Sequence, residues 1–146
     1  VGGCGAIKHW NNLKIIQKLQ KPYYIFLDSD KTSEDAESKT LEQLLNLGYK
    51  KDECGVTRKR EIECYIPSSY FQTLVPPIEI AYGDWDDVKK MCSIHAQAGC
   101  LGGKHVCERH FTNLSFEQLR ATFCPDGKNA NDEFLNIYHN VVSKIK

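Results

Sequence analysis

The sequence has no excess of either charge: Lys+Arg and Asp+Glu stand at 19 each. A dedicated nucleic-acid binder usually carries a basic surplus, so a polyanion would have to be met by a local patch and not by the field of the whole chain. The sequence also lacks any apolar run near the roughly 20 residues that a membrane span needs, and any basic start leading into an apolar leader. No membrane partner is expected, and a cytoplasmic location is. An even cysteine framework is missing too. The seven cysteines (Cys4, Cys54, Cys64, Cys92, Cys100, Cys107 and Cys124) read as free thiols in a reducing compartment. There is no internal repeat and no low-complexity segment, and the chain opens on Val1 instead of Met, which reads as a piece of something longer.

What is present is an ordinary globular composition. With 146 residues, 41% hydrophobic and 26% charged, the chain can bury roughly two-thirds of its unfolded surface around one core. Gly2-Gly3-Cys4-Gly5 forms an opening turn. Ile7, Trp10, Leu13, Ile16 and Leu19 then recur at helical spacing, up to the break at Lys21-Pro22. Tyr23-Tyr24-Ile25-Phe26-Leu27 is a continuous apolar run of strand length, as in a parallel sheet buried on both faces. A polar loop over residues 28–35 leads to a second apolar helix face (Leu41, Leu44, Leu45, Leu47) that stops at Gly48. A further strand is expected over residues 54–62 and a short helix over 70–74. Beyond residue 84 the pattern is helical: 88–95, 105–111, 115–123 and 132–145. Ser115 with Gln118 has capping-box spacing, and Asn131 or Asp132 can cap the last helix. The expectation is an α/β fold, with a core over residues 1–75 and a helical C-terminal part of the same domain over 76–146.

The chemistry concentrates at the strand end. In an extended chain Asp28 and Asp30 project to one side, and two carboxylates there suit Mg²⁺ or Mn²⁺. The carboxyl ends of parallel strands are also where open sheets place their ligands. The competing reading is a solvated turn over Asp28-Ser29-Asp30-Lys31-Thr32. Glu61-Ile62-Glu63 repeats the i, i+2 spacing; if extended, both glutamates face one way and Ile62 enters the core. Arg58, Lys59 and Arg60 just before it form a local basic patch for a phosphodiester, or else one side of a surface strand of alternating charge. Lys104 precedes a helical run, where it can approach a phosphate or simply be solvated. Asp84, Asp86 and Asp87 read as further ligands or as an acidic first helical turn. Cys92, His95, Cys107 and His110 contain two Cys-x-x-His pairs that four-coordinate zinc could use, although the spacing fits no standard finger and buried thiols are the simpler account.

Together, Gly2-Gly3-Cys4-Gly5-Ala6-Ile7, Leu27-Asp28-Ser29-Asp30 and Lys59-Arg60-Glu61-Ile62-Glu63-Cys64-Tyr65-Ile66 resemble the Toprim nuclease domain of the overcoming-lysogenization-defect (OLD) family. That resemblance implies a Toprim-like Rossmannoid parallel sheet flanked by helices, and DNA cleavage with two Mg²⁺ or Mn²⁺ ions. Asp28, Asp30, Glu61 and Glu63 become the metal ligands, Glu61 and Lys104 the catalytic groups, and Arg58, Lys59 and Arg60 the DNA contacts. An ABC-type ATPase domain in the parent protein, DNA as partner, a role in phage defence and a homo-oligomer also accord with the family. The family's first strand, which carries a glutamate, would lie upstream of Val1, so the isolated chain is expected to lack it. Cys64 stands where the family often has Asn.

A second family competes. Asp28-Ser29-Asp30-Lys31-Thr32 matches the first motif of haloacid-dehalogenase-like phosphatases, with Gly83-Asp84-Trp85-Asp86-Asp87 as the later acidic motif. There Asp28 would be the nucleophile and Asp30 the general acid/base. Only 53 residues separate Asp30 from Gly83, and Arg60-Glu61-Ile62-Glu63 has no role in it. The third reading is a non-catalytic interaction domain that keeps the acidic cluster for folding or for docking an ATPase.

Overall fold

The computed structural model describes residues 20–97, 103–124 and 132–145, with Ile7, His9, Asn11, Asn12, Lys18 and Gly127; the side chains of residues 95–97, 103 and 104 lie outside that description. The opening glycine turn and Asn131 fall outside the described residues. Of the first expected helix, Ile7, His9, Asn11, Asn12 and Lys18 are helical.

The described chain is mixed α/β and mostly helical. Strand β1 (Ile25–Leu27) leads to helix α1 (Lys39–Asn46) and returns to strand β2 (Cys54–Val56). The strands pair in parallel, with Ile25 opposite Cys54 and Leu27 opposite Val56. Among the described residues this is a two-stranded sheet, smaller than the multi-stranded sheet the resemblance implies. A 3₁₀ turn (Ile62–Tyr65) follows, then α2 (Ser68–Phe71), α3 (Val88–Gln97), α4 (Gly103–Thr112), α5 (Phe116–Phe123) and α6 (Glu133–Ser143). No helix among the described residues is long and apolar enough to cross a membrane.

Strand alternation explains how the sheet is covered. Ile25 and Leu27 join Leu41, Leu44, Leu45, Tyr49 and Cys54 in one apolar cluster under α1. Tyr24 and Phe26 face the other way, toward Asn136, Ile137 and Asn140 of α6, and Asn140 Nδ2 donates to Tyr24 Oη at 3.2 Å. Gly55 leaves room for the Tyr24 ring: a Cβ on it would lie 2.3 Å from the Tyr24 hydroxyl, so that side chain would have to shift. The strand is less buried than a doubly covered one: Ile25 is buried, whereas Phe26 and Leu27 are half-buried.

Local signals account for the helix boundaries. Ser38 caps α1 by accepting from Leu41 N at 3.1 Å, and Gly48 takes the left-handed conformation (φ 93°) that ends it. Both arms of the Ser115/Gln118 capping box are formed, and Asp132 caps α6 through Leu135 N at 2.9 Å. The strand expected over 54–62 is cut short after Val56. Thr57 Oγ1 donates to Lys59 O at 2.7 Å, and this turn diverts the chain into the 3₁₀ segment before a ladder can extend.

The second apolar cluster joins the 3₁₀ turn to α2, α3 and α4 through Cys64, Ile66, Phe71, Leu74, Ile78, Val88, Cys92 and Val106. His110 sits at its edge, buried against Tyr70 (ring centroids 4.6 Å apart) and Phe111 (5.1 Å), with Nε2 unpaired. Burial holds its pKa below the usual 6.5. The sign follows: the unfolded chain takes up a proton as pH falls through 6.5 while the folded chain resists, so stability is full above that pH and declines below it. Denaturant titrations of wild type and His110→Leu at pH 7.5 and 5.5 should show a smaller acid loss in the variant; equal losses would exclude His110 as the source.

Candidate functional site

The site lies between the two clusters, where β1 ends. Leu27 O accepts from Thr57 N at 2.9 Å, and Asp30 N donates to Arg60 O at 2.9 Å. Ser29 between them is fully buried: its N–H donates to Thr57 Oγ1 at 2.9 Å, its hydroxyl to Lys59 O at 2.6 Å. These bonds lay the 57–61 segment along the strand end and bring the two acidic motifs together. Asp28 Oδ1 accepts from Ile62 N at 2.9 Å.

Asp28, Glu61 and Glu63 converge on one ammonium. Lys89 Nζ bonds Asp28 Oδ2 and lies 3.5 Å from Glu61 Oε2 and 3.4 Å from Glu63 Oε2. The Lys89 backbone N–H also donates to Glu61 Oε1 at 2.7 Å, so the N-terminal turn of α3 receives a carboxylate as its dipole favours. Glu61 and Glu63 have side chains only 3% and 4% exposed, against 43% for Lys89. Glu63 Oε2 is buried and makes no hydrogen bond. Burial pushes both glutamates above the usual carboxylate range, and the attraction of Lys89 only partly offsets it. Burial alone would depress Lys89, but its bond to Asp28 and the charges of Asp28, Glu63 and Glu61 outweigh burial and raise it. The causes differ: burial dominates for the glutamates, whereas the three surrounding carboxylates dominate for Lys89.

The expected geometry is corrected at two points. Asp30 is not extended. It adopts φ 53°, a left-handed conformation that Asp tolerates, and its Oδ2 accepts from Thr40 Oγ1 at 3.0 Å, away from the Lys89 cluster. Glu61, just before the 3₁₀ turn, and Glu63 within it are buried while Ile62 is half-buried, the reverse of the alternation expected for an exposed strand. The two carboxylates still meet, through Lys89.

The basic patch is largely paired internally. Lys59 Nζ bonds Asp84 Oδ1 at 2.7 Å and Arg60 Nη2 lies 3.5 Å from Asp87 Oδ2; Arg58 is exposed. Asp87 also accepts from Lys90 N at 2.9 Å, the capping role open to it from sequence. Lys104 is the second residue of α4, and its side chain lies outside the description. Cys92 is buried, and burial lifts its thiol to about 11. Burial and the neighbouring Glu63 carboxylate push Cys107 up as well. The side chain of His95 and all of Cys100 are outside the described residues. Among the described residues no three His, Cys, Asp or Glu draw together tightly enough to hold a metal ion.

Sequence reasoning missed Lys89. A usable signal was present, since lysine in the first turn of a helix opposes the macrodipole and invites the question of what else holds it there.

Glu133 secures the approach to the site from α6. It accepts from Arg58 N at 2.8 Å and from the Tyr65 hydroxyl; burial and this carboxylate keep that phenol protonated. Glu133→Ala leaves the buried Tyr65 hydroxyl without its acceptor and should cost about 1–3 kcal/mol. Glu133→Gln, which keeps an acceptor, should cost less. Urea titrations of the two variants check the order.

Compared with protein-family models, with curated proteins and with solved structures, the chain matches none.

Proposed function

We propose that this chain carries a metal-dependent centre for cleaving phosphodiester bonds in DNA, the Toprim-like nuclease domain of an OLD-family protein in which an ABC-type ATPase accompanies it. The observation that carries this reading is the convergence of Asp28, Glu61 and Glu63 on a single cationic point at the carboxyl end of β1. The donor set suits Mg²⁺ or Mn²⁺: three hard carboxylates, with one buried oxygen that lacks a hydrogen bond. A divalent cation bound there would supply Lewis-acid polarisation of a phosphoryl oxygen and a more acidic water.

The remaining roles belong to the chain's own groups. Asp28 is fixed by the Ile62 N–H and Glu61 by the Lys89 N–H, so both are positioned before substrate arrives. Glu61, made a better proton acceptor by burial, is assigned proton transfer. Exposed Arg58 is the basic residue best placed to meet a backbone phosphate, because Lys59 and Arg60 already face Asp84 and Asp87. Lys104 at the start of α4 keeps its assignment as a catalytic lysine that meets a phosphate, and Asp30, whose carboxylate accepts from Thr40, keeps that of a metal ligand.

The test is nicking of supercoiled plasmid by the protein that carries this chain, with Mg²⁺, Mn²⁺ or EDTA. Metal-dependent nicking that EDTA and Asp28→Ala abolish is expected. No nicking, with hydrolysis of an aryl phosphate in its place, would overturn the nuclease reading in favour of the phosphatase one.

A further inference from the structure

We infer that Lys89 is a displaceable stand-in for the divalent cation: its ammonium holds Asp28, Glu61 and Glu63 together in the metal-free protein, and metal binding expels it. The inference rests on the metal-dependent reading of the same site and adds how that site is kept folded and gated before metal arrives.

The lysine is a poor final occupant. Charge-assisted N–H···O bonds run at about 2.7–2.9 Å. Nζ bonds Asp28 at short range but stands 3.5 Å and 3.4 Å from Glu61 and Glu63. It cannot satisfy all three. Glu63, 4% exposed, keeps its buried Oε2 3.4 Å from the ammonium and without a hydrogen bond, and three carboxyl groups face a single cation. A divalent ion with ligand distances of about 2.0–2.1 Å draws carboxylates closer than an ammonium does, which is why the present spacing is wider than a metal cluster.

Lys89 is also the member best able to leave. Its side chain is 43% exposed, and a flexible four-carbon stem lets the charged head swing into water without backbone movement. Two of the carboxylates are held by backbone N–H groups, Asp28 by Ile62 N and Glu61 by Lys89 N, and the main chain that carries the glutamate pair is fixed by the bonds Cys64 N to Glu61 O and Ile66 N to Glu63 O, both 3.1 Å. Expulsion therefore exchanges one cation for another while the main chain stays in place, and only the side-chain carboxylates close in on the smaller ion. It also makes Lys89 a competitor, so removing its charge should tighten metal binding.

Mn²⁺ binding, measured by electron paramagnetic resonance on wild type, Lys89→Gln and Asp28→Asn, tests this together with an NMR titration of the ¹⁵N-lysine-labelled wild-type chain with Mg²⁺. Lys89→Gln should bind Mn²⁺ at least tenfold tighter than wild type, Asp28→Asn should lose binding, and the Lys89 ammonium signal should move to the position of solvated lysines as Mg²⁺ saturates. Wild type binding as tightly as Lys89→Gln, or a Lys89 signal unmoved at saturation, overturns the stand-in while leaving the metal-dependent reading in place. Absence of binding in both proteins sinks that reading and the inference with it. Should Lys89→Gln fail to fold, the wild-type titration decides alone.

Discussion

Lys89→Met should lower the stability of the metal-free chain by about 2–3 kcal/mol, a large part of the roughly 5–15 kcal/mol available to a domain. Removing one partner of a fully buried ion pair costs roughly 3–5 kcal/mol, because the other charge is left without compensation. The figure is reduced here because Lys89 is 43% exposed, so water screens its pairing and can partly replace it. The residue is unusual in having three carboxylates depend on it, two of them almost wholly buried. Equilibrium unfolding at pH 7.5 in EDTA measures the loss.

The same experiment has an internal control in its pH dependence. Burial raises Glu61 and Glu63 above their ordinary 4.5. Between that value and the raised ones the folded chain holds protons that the unfolded chain has released, so these groups favour folding as pH falls and oppose it as pH rises. Without Lys89 the opposition grows, and the deficit of Lys89→Met should shrink as pH is lowered toward 5. Lys89→Met with Glu63→Gln should recover part of the loss even at pH 7.5, since one buried charge is then removed. A deficit that ignores both pH and Glu63→Gln would mean that Lys89 acts through packing of its stem alone.

Local signals in the sequence carried the helices well and the site only in part. Leu41, Leu44 and Leu45 fall on the face that packs against Ile25 and Cys54, and Ser115 and Asp132 mark helix starts that the capping bonds reproduce. These depend on residues three or four apart. Asp28 was legible because an apolar run ends on it. Its side-chain direction relative to Asp30 was not, because a single left-handed residue cancels strand alternation. Glu61 and Glu63 reach Asp28 for a reason invisible in their spacing: buried Ser29 bonds Thr57, 28 positions away, and Lys59, which lays the segment leading into the glutamates along the strand end. The contact of Lys89 with Asp28 spans 61 positions, and no local pattern reports such a distance. Only the misfit of a lysine in a first helical turn hinted at it.

Asp28→Asn separates charge from architecture at the centre of the site. Asp28 has two jobs: Oδ1 accepts from the Ile62 N–H, which sets the 3₁₀ turn, and Oδ2 faces Lys89, where the proposed metal would bind. Asparagine keeps a carbonyl oxygen for the first and removes the charge needed for the second. The variant should therefore fold within about 1 kcal/mol of wild type, the scale of one hydrogen bond weakened when its charged acceptor becomes neutral. Plasmid nicking should fall by at least roughly 10²-fold, as when a group that stabilises the transition state electrostatically is removed. Asp28→Ala, lacking both functions, should lose nicking to the same extent and be less stable than Asp28→Asn by about 1–3 kcal/mol, because Ile62 N is left without an acceptor. The two measurements together are decisive. If Asp28→Asn cleaves like wild type, Asp28 serves only to shape the turn, and the carboxylate cluster must be read as a folding device neutralised by Lys89.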